Sequence, residues 1–198
     1  SETTDVQVAT IDAASGGVVQ ENAAKVEAKG VEAEFDVQAT KSLNLGLGVS
    51  YLDSEFKNYP NASVFSLQGG IIGPDSEDLS GTEAPHSPEL TGTVNATYAF
   101  SLPSSWSADV SLLGRYSDGY SFAAGAGGPL RADRQGDYTV FNVSGQIHSP
   151  SEQFTLTLYA SNLTDEEYYE RIQTNQGFGV WGTPALPRMY GVKLGYSF

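Results

Sequence analysis

Apolar and polar residues alternate along most of this chain with a period of two. In "VEAEFDVQ" (31–38), Val31, Ala33, Phe35 and Val37 take one side and Glu32, Glu34, Asp36 and Gln38 the other. "LNLGLGVSY" (43–51) sets Leu43, Leu45, Leu47, Val49 and Tyr51 against Asn44, Gly46, Gly48 and Ser50. The same alternation recurs in "LTGTVNATYAF" (90–100), "WSADVSLLGRY" (106–116), "TVFNVSGQIH" (139–148), "FTLTLYASN" (154–162) and "RMYGVKLGYSF" (188–198). Period two is the signature of β-strands with one greasy face. With a further strand at 5–12, the pattern predicts about eight strands, all antiparallel. Two places break the rule. Tyr159 falls on the polar side of its strand. Val26 and Ala28 have the opposite parity to Val31–Val37, and a bulge near Gly30, or exposure of that end, would reconcile them.

Connector lengths add a second pattern. Short links (about 39–42, 101–105 and 149–153) alternate with long ones (about 58–87, 118–137 and 165–187), and 13–23 reads as a medium loop. A soluble sandwich has no reason to sort its loops by length onto two ends. A membrane barrel does, with short periplasmic turns and long external loops. The apolar stretches match the 9–11 residues that a tilted strand needs to cross hydrocarbon. Aromatics gather near strand ends: Tyr51, Tyr98, Phe100, Trp106, Tyr116, Tyr196 and Phe198. Such placement fits an interfacial girdle.

Composition then removes function classes. The 198 residues carry 10 Lys+Arg against 24 Asp+Glu, a formal net charge of −14. That balance argues against a nucleic-acid partner, which requires a basic surface. The absence of cysteine excludes disulfides, thiolate zinc sites and Cys nucleophiles. No window offers the apolar run of a transmembrane helix, and "SETTDVQVAT" lacks the basic start and apolar core of a signal peptide. His86 and His148 are far apart and show no metal-ligand spacing. No G-x-S-x-G elbow occurs, and "GAGGP" (125–129) lacks the strand-to-helix context of a phosphate loop. The chain is therefore not expected to be an enzyme, nor to carry a cofactor or a metal. Asp75, Glu77, Asp78 and Glu83 cluster in one long loop, and Asp165, Glu166, Glu167 and Glu170 in another. Without an ordered calcium-loop spacing they read as a solvated surface that could meet cations bridging lipopolysaccharide.

Several stretches carry a family resemblance. "AKVEAKGVEAEFDVQATKSLNLGLGVSYLDSEFKNY" (24–59), "APHSPELTGTVNATYAF" (84–100), "LYASNLTDEEYY" (158–169) and "PRMYGVKLGYSF" (187–198) occur in the order found in the late barrel of TonB-dependent outer-membrane receptors, which they resemble. The resemblance implies an all-β fold: an antiparallel transmembrane β-barrel segment, about the last third of a 22-stranded barrel. Residues 1–198 would form the C-terminal part of that barrel, without a plug domain. It implies the bacterial outer membrane as location, with lipid bilayer, lipopolysaccharide and the barrel-assembly machinery as partners. It further implies contacts with TonB and a plug through upstream chain, and energy-coupled uptake of a siderophore, vitamin, haem or oligosaccharide. Inward Glu32, Glu34 and Asp36 would face the plug. The closing strand, Tyr190, Val192, Leu194, Tyr196 and Phe198, resembles the signal that the assembly machinery reads. Loop residues Tyr120, Phe122, Asn175, Gln176, Phe178 and Trp181 could stack on and hydrogen-bond a ligand. Two readings remain beside the receptor: a complete small outer-membrane barrel with a structural or adhesive role, and a soluble β-rich binding module.

Overall fold

The computed structural model describes residues 2–11, 18–124, 133–175 and 179–198. The described residues form fourteen strands: β1 (Glu2–Ile11), β2 (Val18–Gln38), β3 (Leu43–Asn58), β4 (Ala62–Gln68), β5 (Ile71–Glu77), β6 (Leu90–Ser101), β7 (Ser107–Ser117), β8 (Tyr120–Ser121), β9 (Arg134–Gln135), β10 (Tyr138–His148), β11 (Phe154–Ser161), β12 (Tyr169–Asn175), β13 (Gly179–Pro184) and β14 (Met189–Tyr196). Eight of them form one antiparallel sheet in the order β1-β2-β3-β6-β7-β10-β11-β14. These are the eight strands that the alternation predicts. The sheet is an open segment of wall, with β1 and β14 at its two edges.

Register decides which residues share a face. Phe35 pairs with Leu47, Leu47 with Val94, Val94 with Gly114 and Gly114 with Phe141. Every apolar series therefore lies on one continuous surface. Phe35, Leu47, Leu158, Val192 and Leu194 are 70%, 55%, 52%, 70% and 75% exposed there. Residues so greasy and so open need a non-aqueous neighbour, and among the described residues no second sheet packs over them. The opposite face carries Asp36, Asn95, Thr97, Ser111 and Gln146. Thr97 and Ser111 hydrogen-bond across strands at 3.0 Å. The first face is the belt that meets lipid, and the second lines the lumen.

Glycine accommodates two rings on this wall. Phe141 crosses above Gly114, where a Cβ would meet the ring at 2.8 Å. Tyr159 lies over Gly191, its partner on β14. Its place on the polar side, irregular in the sequence, is thus a ring-over-glycine pair on the lumen face.

The ends of the sheet differ as the connector lengths predict. Gln38–Leu43, Ser101–Ser107 and His148–Phe154 turn at one end, and β14 delivers Phe198 to that end because Phe154 pairs with Tyr196. The long connectors leave from the other end. Tyr98 stacks with Phe100, Phe154 lies tilted against Tyr196, and Tyr196 meets Phe198 edge to face, which forms an aromatic rim at the short-turn end.

Several expectations are corrected. No register shift occurs at Gly30; it pairs with Leu52 in an unbroken ladder, and the irregularity falls between Lys25 and Val26. Val26 and Ala28 are thus on the lumen face by strict alternation. Val26 packs there against a small core of Phe56, Tyr59, Ala62, Val64, Leu79 and Ala84. That core sits above the belt, where no lipid dictates the parity. The stretch 13–23 is not all loop, since β2 begins at Val18. The long connectors are not structureless either: each holds a hairpin, β4-β5, β8-β9 or β12-β13. The β4-β5 turn is made by Gly69 and Gly70, both at positive φ (58° and 88°), as a two-residue hairpin requires.

Candidate functional site

Where β7 and β10 reach the long-loop end, the lumen face carries a group of rings around one cation. Tyr138 is 8% exposed. The Arg115 guanidinium lies 5.7 Å from the centre of its ring, and the Tyr168 ring stacks on it at 4.5 Å with 5° between planes. Arg115 and Tyr138 meet because Val140 pairs with Arg115 and Ser117 with Tyr138, which puts both side chains on the lumen face. A guanidinium above a ring face is attractive, the more so when partly desolvated.

The β8-β9 hairpin extends the group outward. Tyr120 lies 5.2 Å from Phe122, and His86 packs on both rings at 5.8 and 5.4 Å. The backbone holds this contact, because His86 N–H donates to the Ser121 carbonyl at 2.8 Å and Phe122 N–H to the Asp133 carbonyl at 2.9 Å. Burial, then the neighbouring Tyr138 phenol, pushes the Tyr120 hydroxyl above its ordinary pKa. It is therefore a neutral donor at physiological pH. Tyr138 and Phe122 are buried within the group, which offers a guest the exposed ring of His86, the half-buried rings of Tyr120 and Tyr168, a phenol donor and the exposed Arg115 cation. That combination suits a flat, anionic, aromatic guest.

Of the loop residues expected to contact a ligand, the structure brings Tyr120 and Phe122 together with His86, Tyr138, Tyr168 and Arg115. Trp181 stands apart on β13, 62% exposed, and no ring contact joins it to the group among the described residues. Asn175 ends β12 beside Gly179; Gln176 and Phe178 lie outside the described residues. Tyr138 and Tyr168 are not among the residues expected there, and only cross-strand register and the return of the last long connector show their partners.

The acidic loop residues are largely engaged in loop structure. Arg134 bonds Glu83 at 3.0 Å and Ser121 Oγ at 3.3 Å. Ser80 bonds hold the Asp78 carboxyl below its usual pKa. A cavity of about 530 Å³ beside Arg134 is walled by Asp53, Glu55, Glu83, Asp118 and Asp137. Leu52 and Ser54, of the opposite parity to Asp53 and Glu55, line it as well, so the cavity sits at the end of β3 past Tyr51. At the opposite end, His148 Nε2 lies 3.1 Å from Asp109 Oδ1 and Nδ1 3.3 Å from Thr155 Oγ1, a lumen-wall contact beside a short turn.

A model of the family described as TonB dependent receptor-like, beta-barrel, matches residues 1–163. The chain belongs to this family. Among solved structures, the whole chain superposes on the ferric yersiniabactin uptake receptor FyuA of Yersinia pestis, with a TM-score of 0.77 at 20% identity. The siderophore receptor PiuA of Acinetobacter baumannii aligns over 98% of this chain with a TM-score of 0.64 at 21% identity. The ferric-catecholate import receptor Fiu of E. coli K12 aligns over 100% of it, at 0.63 and 18%. At such identities the likeness is one of fold: an all-β, antiparallel wall of a TonB-dependent receptor barrel. The chain spans 26% of FyuA and 24% of PiuA and Fiu. The three solved proteins are, respectively, an uptake receptor, a siderophore receptor and an import receptor.

Proposed function

We propose that this chain is the C-terminal part of the wall of an outer-membrane receptor that takes up a scarce iron chelate by energy coupling. The lumen-side group of Arg115, Tyr138, Tyr168, Tyr120, Phe122 and His86 supports that reading most directly. A ferric siderophore with aromatic chelating arms presents flat rings and negative charge, the complement of stacked rings beside a guanidinium. FyuA is a ferric yersiniabactin uptake receptor, PiuA a siderophore receptor and Fiu a ferric-catecholate import receptor, which supports an iron chelate as the ligand. In this reading a plug and a TonB-contacting segment belong to the rest of the receptor. The polar series Glu32, Glu34 and Asp36 faces the plug. Tyr190, Val192, Leu194, Tyr196 and Phe198 form the strand read by the barrel-assembly machinery. The anionic rim above the belt meets lipopolysaccharide through divalent cations. A complete small barrel fits less well, because the chain aligns end to end with only a quarter of much larger receptors.

Uptake tests the proposal. Cells with the intact gene as their iron receptor are given ⁵⁵Fe-labelled catecholate, phenolate and hydroxamate chelates, with and without a protonophore. Accumulation of an aromatic chelate that needs the gene and is abolished by the protonophore is the expected outcome. Accumulation of all three classes regardless of the gene would refute it.

A further inference from the structure

The segment "SNLTDEEY" (161–168) enters the last long connector, and the structure shows what its polar residues do. Asn162 is 4% exposed and has a positive φ of 50°. Its side-chain amide donates to the carbonyls of Glu166 at 2.9 Å and Leu186 at 3.2 Å, and its side-chain oxygen accepts from Glu166 N–H at 2.8 Å. Its own N–H donates to Asn142 Oδ1 on β10 at 3.0 Å, and the next N–H, of Leu163, to the Phe141 carbonyl at 2.7 Å. Asp165 closes the other side. Its carboxylate accepts the Arg188 N–H at 2.8 Å and lies 3.8 Å from the Arg188 guanidinium, which itself donates to the Leu163 carbonyl at 3.3 Å. The side chains of Asn162 and Asp165 thus tie the start of the connector (162–166) to its end (186–188), and the backbone N–H groups of Asn162 and Leu163 tie the start to β10.

Three further contacts carry this fixed base to the ring group. Tyr168, two residues past Glu166, stacks on Tyr138. Tyr168 accepts the Ala185 N–H on its carbonyl at 2.8 Å. The adjacent Tyr169 N–H donates to Oε1 of Gln135 at 2.8 Å, and Gln135 is 5% exposed. The β12-β13 hairpin is therefore bonded to β9 as well as to its own base.

We propose that Asn162 and Asp165 are positioning residues for the ligand site: they clasp the base of the last long connector and thereby hold Tyr168 on Tyr138 and the β12-β13 hairpin over the lumen. They touch no ligand themselves. The proposal rests on the reading of the lumen-side rings as the ligand site. Its geometric half, that the clasp fixes the hairpin, stands or falls separately.

The test uses the full-length receptor with nitroxide labels at Asn58→Cys on the wall and Trp181→Cys on the hairpin; this chain contains no cysteine of its own. Asn162→Gly is the key variant. Glycine accepts the positive φ without strain and keeps the backbone bonds to β10, but removes the three side-chain bonds. Asp165→Asn is the rescue control, because an amide oxygen still accepts the Arg188 N–H. Heat-modifiability on gels monitors barrel assembly throughout. Pulsed electron resonance should give one narrow distance in the unmutated receptor and in Asp165→Asn, and a distribution about twofold wider or more in Asn162→Gly and Asp165→Ala. A distance as sharp in Asn162→Gly as in the unmutated receptor overturns the clasp. Binding of ferric tris(2,3-dihydroxybenzoate) then reads the positioning role. If the hairpin is in place a tenth of the time, apparent affinity falls about tenfold. A widened distribution with unchanged affinity overturns positioning. If the probe binds the unmutated receptor no better than a Tyr138→Leu variant, the ring group is not the site, and the distance measurement still decides the clasp.

Discussion

Replacing Val94 by arginine puts a guanidinium on the lipid side of β6, while replacing its neighbour Asn95 puts the same group on the lumen side at the same depth. Val94 pairs with Leu47 on β3 and Gly114 on β7, all belt positions, and is 42% exposed. Asn95 pairs with Gly46, above which the Asp36 carboxylate also lies. In the lipid-facing account Val94→Arg costs about 2–4 kcal/mol, the penalty for a basic residue near the midplane of a membrane barrel. At about 1.4 kcal/mol per decade, that is a roughly 30- to 700-fold loss in the folding equilibrium. Asn95→Arg keeps its charge in water beside Asp36 and changes stability by less than about 1 kcal/mol. Guanidinium unfolding of the receptor in lipid vesicles, scored by heat-modifiability, compares the two. If Asn95→Arg proves the costlier substitution, the faces have been assigned the wrong way round and the belt argument fails.

Gly191→Ala should destabilise the β11-β14 pair by about 1–3 kcal/mol, since its Cβ collides with the Tyr159 ring, and Tyr159→Ser should restore most of the loss; a double-mutant cycle in denaturant checks this. Phe56→Ala, at 2% exposure in the core above the belt, should cost that local core about 3–5 kcal/mol and open the 59–87 connector to external protease. The heat-modifiable barrel should nevertheless remain. Asp133 is buried, and burial raises its carboxyl above the ordinary value. Its protonated form therefore favours the folded hairpin below the ordinary carboxylate pKa, and that contribution is lost as pH rises through the raised value. Hydrogen exchange of the β8-β9 segment should accelerate from pH 4 to pH 7, beyond the intrinsic pH dependence, in the natural sequence, and much less in Asp133→Asn.

The eight wall strands were readable because lipid imposes one rule on all of them: every second residue must be apolar. Above the belt that rule lapses, and so did the reading. Val26 and Phe56 turn inward to a local core of their own, which from parity alone looks like a bulge. The β4-β5 hairpin was legible in principle, since "SVFSLQGGII" (63–72) carries its glycine turn, but a proline at 74 and nearby acids gave it the look of a loop. At the candidate site, Tyr120 and Phe122 stood out as aromatics in a polar connector. Arg115, Tyr138 and Tyr168 come from three separated stretches, and what joins them is register and loop return, neither of which a single sequence states. "NLTD" marked the family, whereas its physical role needed the Leu186 and Arg188 backbone that it binds more than twenty residues away.

The central claim is that this sheet is the wall of a membrane barrel with the Leu43–Tyr51 series facing lipid. Nine single-cysteine variants at positions 43 to 51 of the full receptor, each bearing a bimane fluorophore, in vesicles of lipids with brominated tails, test it most directly. The account predicts strong quenching at 43, 45, 47, 49 and 51 and little at 44, 46, 48 and 50. Quenching that fails to alternate, or that peaks at the even positions, would contradict it.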